Sequence, residues 1–533
     1  MSLTKVTYSM IDSAPVNIMD WIPVQYHAAI RNFTSTVPVQ SYIQAAMDSG
    51  AGSIYFPMGW YVIASALYVT QGTSGSNQAS NLTFVGENRT STYFVGPGAA
   101  NFTPAAFNNP NTGTPVIAMI INQSNNGKFS LKNLRFQGDI GGGHAMYALE
   151  DGANSQCMFS GVIEDCWFSL STTNAGIFYG GLQNFVVANN TFESAKGCFR
   201  LVGVGTGDVH FSNNSVYSCY DGFIDASFDS NAKNYINVNN LIVYNYYRGP
   251  VFSAVNAREW NISNVVLEGA TGGDAIDTIG LCNLSQSNNI TMTGFSALGV
   301  LNDVIILDGV TGTFSNGFIN ANNSGIKMGG SYSSNILTFQ NVTITGSVVS
   351  AFWHSANNPG GTININDCNW YNAGGGFWAD QAGSASYTVT FRDSTFLNAG
   401  FPNTSSGTRN FAITTSGNVN FYNCLIGRST NDAIANFYIE ANGTGDLILT
   451  DCTFTSLISP AGSGNEIGGT QLVKIAGGLG NRYRQYYAST APLTGTWNLG
   501  DRVFNSVPSV GANKGWICTV AGTPGTWVSE GIL

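Results

Sequence analysis

A chain of 533 residues with 43% apolar and only 9% charged side chains can hold a large core and more than one domain, and it is not disordered, because disorder needs low hydrophobicity and high charge. The net charge of −10, with no Lys/Arg run, argues against nucleic acid as a partner. No apolar run reaches the ~18 residues of a spanning helix and no secretory signal stands out, so membrane insertion is not expected.

With 64 Gly, 15 Pro and few charges, the polar surface must be built mainly from Asn, Ser, Thr and Gly. That usage suits β-structure with many turns. The first patterned segment is "VQSYIQAAMDSGAGSIYFPMGWYVI", residues 39–63. Ile43, Ala46 and Met47 fall on one helical face, with Val39 a turn earlier. Ser49, Gly50 and Gly52 stop the helix. Residues 53–56 read as a strand, 57–59 as a turn and 60–63 as a second strand.

Further along, short apolar strands recur behind an Asn or Asp. These markers are Asp165, Asn189, Asn213, Asn239, Asn264, Asn341, Asp367, Asp393, Asn423 and Asp451. Their spacing is 24, 24, 26 and 25, then 77, or three steps, then 26, 26, 30 and 28. "NLTFVG" at 81 and "NLRFQG" at 133 read as irregular first coils. A period in the mid-twenties is a solenoid signature. It is too short for a strand-helix-strand unit, which needs ~30 residues, and fits one coil of a parallel β-helix with two or three strands.

Stacked coils put like residues above one another at ~4.8 Å, so Asn and Asp at one turn can share hydrogen bonds up the stack. An open end of such a stack exposes backbone edges, which the helix in 39–63 is placed to cover. The nine Cys are an odd number with no CxxC, so neither a disulfide framework nor a zinc site is expected. Cys166, Cys368, Cys424 and Cys452 each follow a marker and read as an inward column of buried thiols made in a reducing cytoplasm. No metal and no cofactor is expected.

The opening segment resembles that of pectate-lyase-like β-helix proteins, whose helix, glycine turn and "YFP.G.Y" strand follow the same order. "KVTYSMI", Lys5 to Ile11, is similar to the segment before it in phage tailspikes. The stretch 491–531 resembles a small β module found at the ends of such proteins. The resemblance implies an all-β fold: a right-handed, single-stranded parallel β-helix with an N-terminal capping helix and a small C-terminal β module, assembled as a homotrimer. It also implies a tailspike that binds and depolymerises a bacterial surface polysaccharide. Many tailspikes carry a long N-terminal particle-binding domain that has no match here. A short leader would then attach the spike to the phage tail or baseplate, unless that domain has been removed. The divisions expected are a leader (1–38), the helix cap with irregular first coils (39–160), the β-helix trunk (161–475), and a linker with the C-terminal module (476–533).

Glycoside hydrolysis needs two carboxyl groups, ~5 Å apart for retention and ~6.5–9.5 Å for inversion. Acids are sparse, so clusters carry weight. "YDGFIDASFD" holds Asp221, Asp225 and Asp229, and "LEGATGGDAID" holds Glu268, Asp274 and Asp277. Glu193 and Glu268 each lie four residues past a marker and share a column three coils apart. Asp225 and Asp277 lie 12 and 13 past theirs, two coils or ~10 Å apart. An acid from an adjacent subunit is an alternative, and so is a purely structural role in turns. No family motif fixes these residues. The candidate catalytic acids are Glu193, Asp221, Asp225, Glu268, Asp274 and Asp277.

An eliminating lyase would instead need a base and a cation, and His210, Lys233, Tyr244, Arg248 and Arg258 lie near the same coils. Sugar rings stack on aromatic side chains, and Tyr244, Tyr246, Tyr247 and Arg248 sit beside the acid clusters, with Trp353 and Trp378 further on. These six are the candidate substrate-binding residues. "GNRYRQYY", with Arg482 and Arg484, reads as a linker. The module after it carries Trp497, Trp516 and Trp527 on short strands, for glycan binding, trimerisation or capping. The chain is therefore read as a virion tail depolymerase, made in the host cytoplasm, that hydrolyses a capsule, exopolysaccharide or O-antigen. The rivals are a polysaccharide lyase on the same fold and a non-catalytic glycan-binding appendage.

Overall fold

The computed structural model describes residues 15–69, 81–105, 117–122, 128–140, 144–148, 159–170, 175–180, 182–193, 197–202, 207–219, 222–227, 232–246, 249–269, 280–300, 303–321, 323–328, 335–346, 350–354, 360–371, 377–379, 386–397, 411–414, 417–427, 438–442, 446–454, 466–468, 472–476, 485–493, 497 and 499–533. They form two compact units, 1–327 and 328–533.

The first unit opens with the cap. The helix Gln40–Asp48 buries Ile43, Ala46 and Met47 completely, as does Val39 just before it. It ends where Ser49 Oγ donates to Ala46 O at 2.7 Å and Gly50, at φ 85°, donates its N–H to Met47 O. The helix closes the stack through polar contacts as well as apolar ones. Gln44 accepts from Tyr68 N at 2.8 Å and donates to Tyr68 O at 3.0 Å, taking the place of a strand partner on an edge that would otherwise invite pairing. The cap begins earlier than this helix. Within the stretch read as a leader, Val16–Asn17 pairs in parallel with Ser53–Phe56, and a 3-10 turn at Ile18–Asp20 and a helix at Val24–Arg31 follow.

Beyond the cap, consecutive coils pair in parallel. The inward residues Phe94, Phe136, Phe168, Phe192 and Val216 are Cα partners from coil to coil. Their rings stack within the core, Phe136 on Phe168 at 5.1 Å and 4°, and Phe168 on Phe192 at 4.8 Å and 7°. The outward neighbours alternate with them, as the pleat requires.

The marker residues make the corners. Asp165, Asn189, Asn213 and Asn264 all adopt the left-handed region, φ 52–58°. Asn and Asp enter it at less cost than other side-bearing residues. In the strand Gly207–Tyr217, Val209 and Phe211 point in, Asn213 is exposed, and Asn214 and Val216 point in again. The in-out alternation restarts across the corner, which divides each long strand into two faces. One position differs from the expectation: the turn residue of its coil is Asn240, not Asn239. The residues one and three past each corner point inward, and a corner at Asn240 sends Leu241 and Val243 into the core and leaves Ile242 outside. Among the described residues of the 77-residue gap, Gly294 and Asn316 continue this corner in register with Asn264.

Side chains join the corners: Asn213 donates to Asn189 Oδ1 at 3.2 Å and Asn240 to Asn213 Oδ1 at 3.0 Å, while Asn264 reaches the residue before its neighbouring corner, Asn239 Oδ1, at 3.1 Å. A second, buried ladder lies one residue on. Asn190 Oδ1 accepts from Cys166 N, and Asn214 Oδ1 accepts from Asn190 N and Nδ2.

The second unit repeats the pattern with corners at Asn341, Asp367, Asp393, Asn423 and Asp451. Cys368 and Cys424 are buried, as is Cys166 in the first unit, while Cys452 is half-buried. Each of the four thiols donates to the carbonyl two residues before it. This unit ends in a four-stranded sheet of Gln485–Ala488, Arg502–Asn505, Gly515–Val520 and Thr526–Ser529. Trp516 and Trp527 lie on its strands, and Trp497 packs edge-on to Trp527 at 5.0 Å.

Candidate functional site

On the half-strands after each corner, the residues two and four positions past the corner point outward. They build two parallel columns on the first unit.

The column four positions past the corner contains Glu193, Tyr217, Tyr244 and Glu268, which are Cα partners in that order. Glu193 and Glu268 therefore stand three coils apart, as the spacing predicted. The Tyr217 and Tyr244 rings stack between them, 5.6 Å apart and 17° from parallel. Tyr217 is 39% exposed and Glu268 is exposed, so this face is open to a ligand. Glu193 accepts from Trp167 Nε1 at 3.0 Å, which turns its carboxylate toward the preceding coil.

The column that holds Arg135 and Trp167, two positions past the corners Asn133 and Asp165, continues by register to Tyr93 and Trp60. Phe33 from the cap joins its rings, edge-on to Trp60 at 6.3 Å and to Tyr93 at 5.8 Å. The Arg135 guanidinium lies between rings, 3.9 Å from the Trp167 centroid and 5.4 Å from that of Tyr93. Together the two columns form a strip of rings, one cation and two carboxylates along the coil axis. Such a strip offers flat apolar faces for pyranose rings and acceptors for their hydroxyls.

The remaining candidates are distributed as follows. Asp225 is a Cα partner of Arg200 and Ser253 on the third strand of its coil. One of its carboxylate oxygens accepts from Ser227 Oγ at 2.7 Å and from Ser227 N at 3.2 Å, the local turn that Asp favours. Asp221, Asp229, Asp274, Asp277, Tyr247 and Arg248 lie outside the described residues, as do the side chains of Tyr246, Trp353 and Trp378. The backbones of Trp353 and Trp378 are Cα partners on adjacent coils of the second unit.

The groups that a lyase would use are not gathered on one face among the described residues. His210 lies before the Asn213 corner and donates its Nε2–H to Asp208 Oδ1 at 3.0 Å, whereas Tyr244 lies after the Asn240 corner. Lys233 is fully buried. Arg258 is exposed and turns its Nε to Asn256 Oδ1.

The sequence reading missed Trp60, Tyr93, Arg135, Trp167 and Tyr217. A signal for the last three existed. Arg135 and Trp167 lie two past the corner residues Asn133 and Asp165, and Tyr217 lies four past Asn213. Counting outward positions from each corner, instead of seeking clusters of acids, would have found them.

No protein-family model matches the chain, and no curated protein matches it in sequence. Among solved structures it is similar to the catalytic unit of a thermostable GH87 α-1,3-glucanase from Streptomyces thermodiastaticus, with 14% identity, 83% of this chain and 69% of that one covered, and a TM-score of 0.39. It is similar to the pre-mature gene product 12 of bacteriophage phi29, with 13% identity, 82% and 68% covered, and a TM-score of 0.42. The tailspike protein gp49 of Pseudomonas phage LKA1 is a further likeness, with 10% identity, 83% and 81% covered, and a TM-score of 0.37. The β-helix itself rests on the strand register of this chain.

Proposed function

We propose that this chain is a phage tailspike depolymerase that lays a bacterial surface polysaccharide along the outer strip of its β-helix and hydrolyses glycosidic bonds. The observation that carries the reading is the register of Glu193, Tyr217, Tyr244 and Glu268 in one outward-facing column. Rings in line along the axis suit a linear glycan, and the flanking carboxylates suit its hydroxyls. Hydrolysis on this reading uses carboxyl groups from the neighbouring acid clusters, Asp221, Asp225, Asp274 and Asp277, and no cofactor. The spike works as a homotrimer attached to the tail through its N-terminus.

The test is digestion of a panel of purified capsular, exopolysaccharide and O-antigen chains. New reducing ends without ultraviolet absorption support hydrolysis, and unsaturated ends would replace it with elimination. A second reading, glycan binding without cleavage, is favoured by the engagement of Asp225 in its own turn. Binding to a panel member with no fragment released from any would favour it over the first.

A further inference from the structure

We infer that Arg135 is a recognition site for an oxyanion substituent on the bound glycan, a carboxylate or a phosphate, on the coils before the Glu193–Glu268 column. The inference rests on the glycan-binding reading above and adds the charge class of the ligand.

Four observations lead to it. First, Arg135 points outward and is half-buried, held between the faces of Trp167 and Tyr93. Second, its Nε is buried and has no acceptor among the described residues. Three other cations of this unit are engaged: Arg89 donates to Asn189 O, Lys132 pairs with Glu164, and Lys327 pairs with Asp303. Third, the nearest acid of the strip is already committed, since Glu193 accepts from the Trp167 indole. Fourth, Phe33, Trp60 and Tyr93 meet edge to face beside it, an apolar shoulder for a sugar ring.

A partly desolvated charge without a counter-ion is unfavourable, and ring faces offset that only in part. The guanidinium is a planar fork matched to two oxygens of a carboxylate or phosphate, and the Trp167 and Tyr93 rings restrict its position before any ligand arrives. A sugar packed on Tyr93 and Trp60 would place an acidic substituent against that fork. The Tyr217–Tyr244 stack, flanked by Glu193 and Glu268, would take the neutral part of the same repeat.

The test uses the full chain and a panel of neutral, uronate-bearing and phosphate-bearing bacterial polysaccharides in affinity electrophoresis, at low and high salt. Wild type is compared with Arg135→Gln and Arg135→Lys, with thermal melts to confirm that each variant folds. Acidic members should bind, weaken with salt, and weaken at least ~10-fold in Arg135→Gln, with Arg135→Lys keeping part of the affinity. Reducing the glycan carboxyl to an alcohol should cost wild type a similar factor and cost Arg135→Gln nothing more. Loss confined to phosphate-bearing members would assign the phosphate source, and loss confined to uronates the carboxylate source. Equal binding of acidic glycans by wild type and Arg135→Gln would overturn the inference, as would binding of neutral members only, and both would leave the glycan reading standing. An equal loss for neutral and acidic members would reduce Arg135 to a scaffold. Binding to no panel member would overturn the glycan reading itself and this inference with it.

Discussion

If Glu193 and Glu268 were the two carboxyl groups across one scissile bond, amide replacement of either would abolish turnover. The geometry predicts otherwise. Three register steps of ~4.8 Å separate their Cα positions by ~14 Å, against ~5 Å for retention and ~6.5–9.5 Å for inversion. Long side chains leaning toward each other could shorten that gap, but two features prevent it. Glu193 is drawn to the preceding coil by the Trp167 indole at 3.0 Å, and the stacked Tyr217 and Tyr244 rings occupy the space between. Glu193→Gln and Glu268→Gln should therefore weaken glycan binding modestly and slow turnover by less than about threefold, whereas loss of a true general acid or base costs ~10²–10⁴. Initial rates of reducing-end release, with saturating polysaccharide and thermal melts as a folding control, separate the two cases. A folded variant of either residue slowed at least ~100-fold would refute the reasoning. The acids of the two sequence clusters take the opposite expectation: Asp221→Asn, Asp225→Asn, Asp274→Asn and Asp277→Asn should include at least one folded variant that binds polysaccharide but turns over at least ~100-fold slower. Wild-type rates in all four would move the search to Glu164, Glu259, Asp303 and the subunit boundaries.

Cys368→Ala should lower stability by about 1–2 kcal/mol in denaturant titration and leave turnover unchanged, because the thiol only fills the core. Burial pushes the thiols of Cys166, Cys282 and Cys368 up from 9 to about 12. A raised thiol favours the folded state fully below its unfolded value, and the benefit is lost as pH climbs. Melting temperature should thus fall between pH 9 and about 12, and less steeply when these three are replaced by Ala. At the Asn264 corner, φ 54°, Asn264→Val should cost about 1–2 kcal/mol or more and Asn264→Gly markedly less, read by thermal melts. Light scattering at micromolar concentration should give three times the chain mass, and a monomer mass would remove the trimer from the proposal.

Much of this protein is legible in the order of its residues because backbone geometry ties local choices to chemistry. A corner that needs a left-handed residue selects Asn, Asp or Gly, so the corners print a visible period. The capping helix is legible because one apolar face at Val39, Ile43, Ala46 and Met47 has to meet a core. The column shared by Glu193 and Glu268 is legible because the coils between them are nearly equal in length.

The tertiary structure decides the rest. Trp60, Tyr93, Arg135 and Trp167 are separated by 33, 42 and 32 residues, a spacing without a period. Loops between coils can lengthen at little entropic cost, while hydrogen bonding between strands still fixes which residues stand side by side. The same cause hid the choice between Asn239 and Asn240. Either can make the turn, and only the demand that Leu241 and Val243 enter the core selects the second. The ring-clasped Arg135 is therefore a product of strand register, since nothing in its local sequence sets it between two aromatic residues that lie 42 residues before it and 32 after.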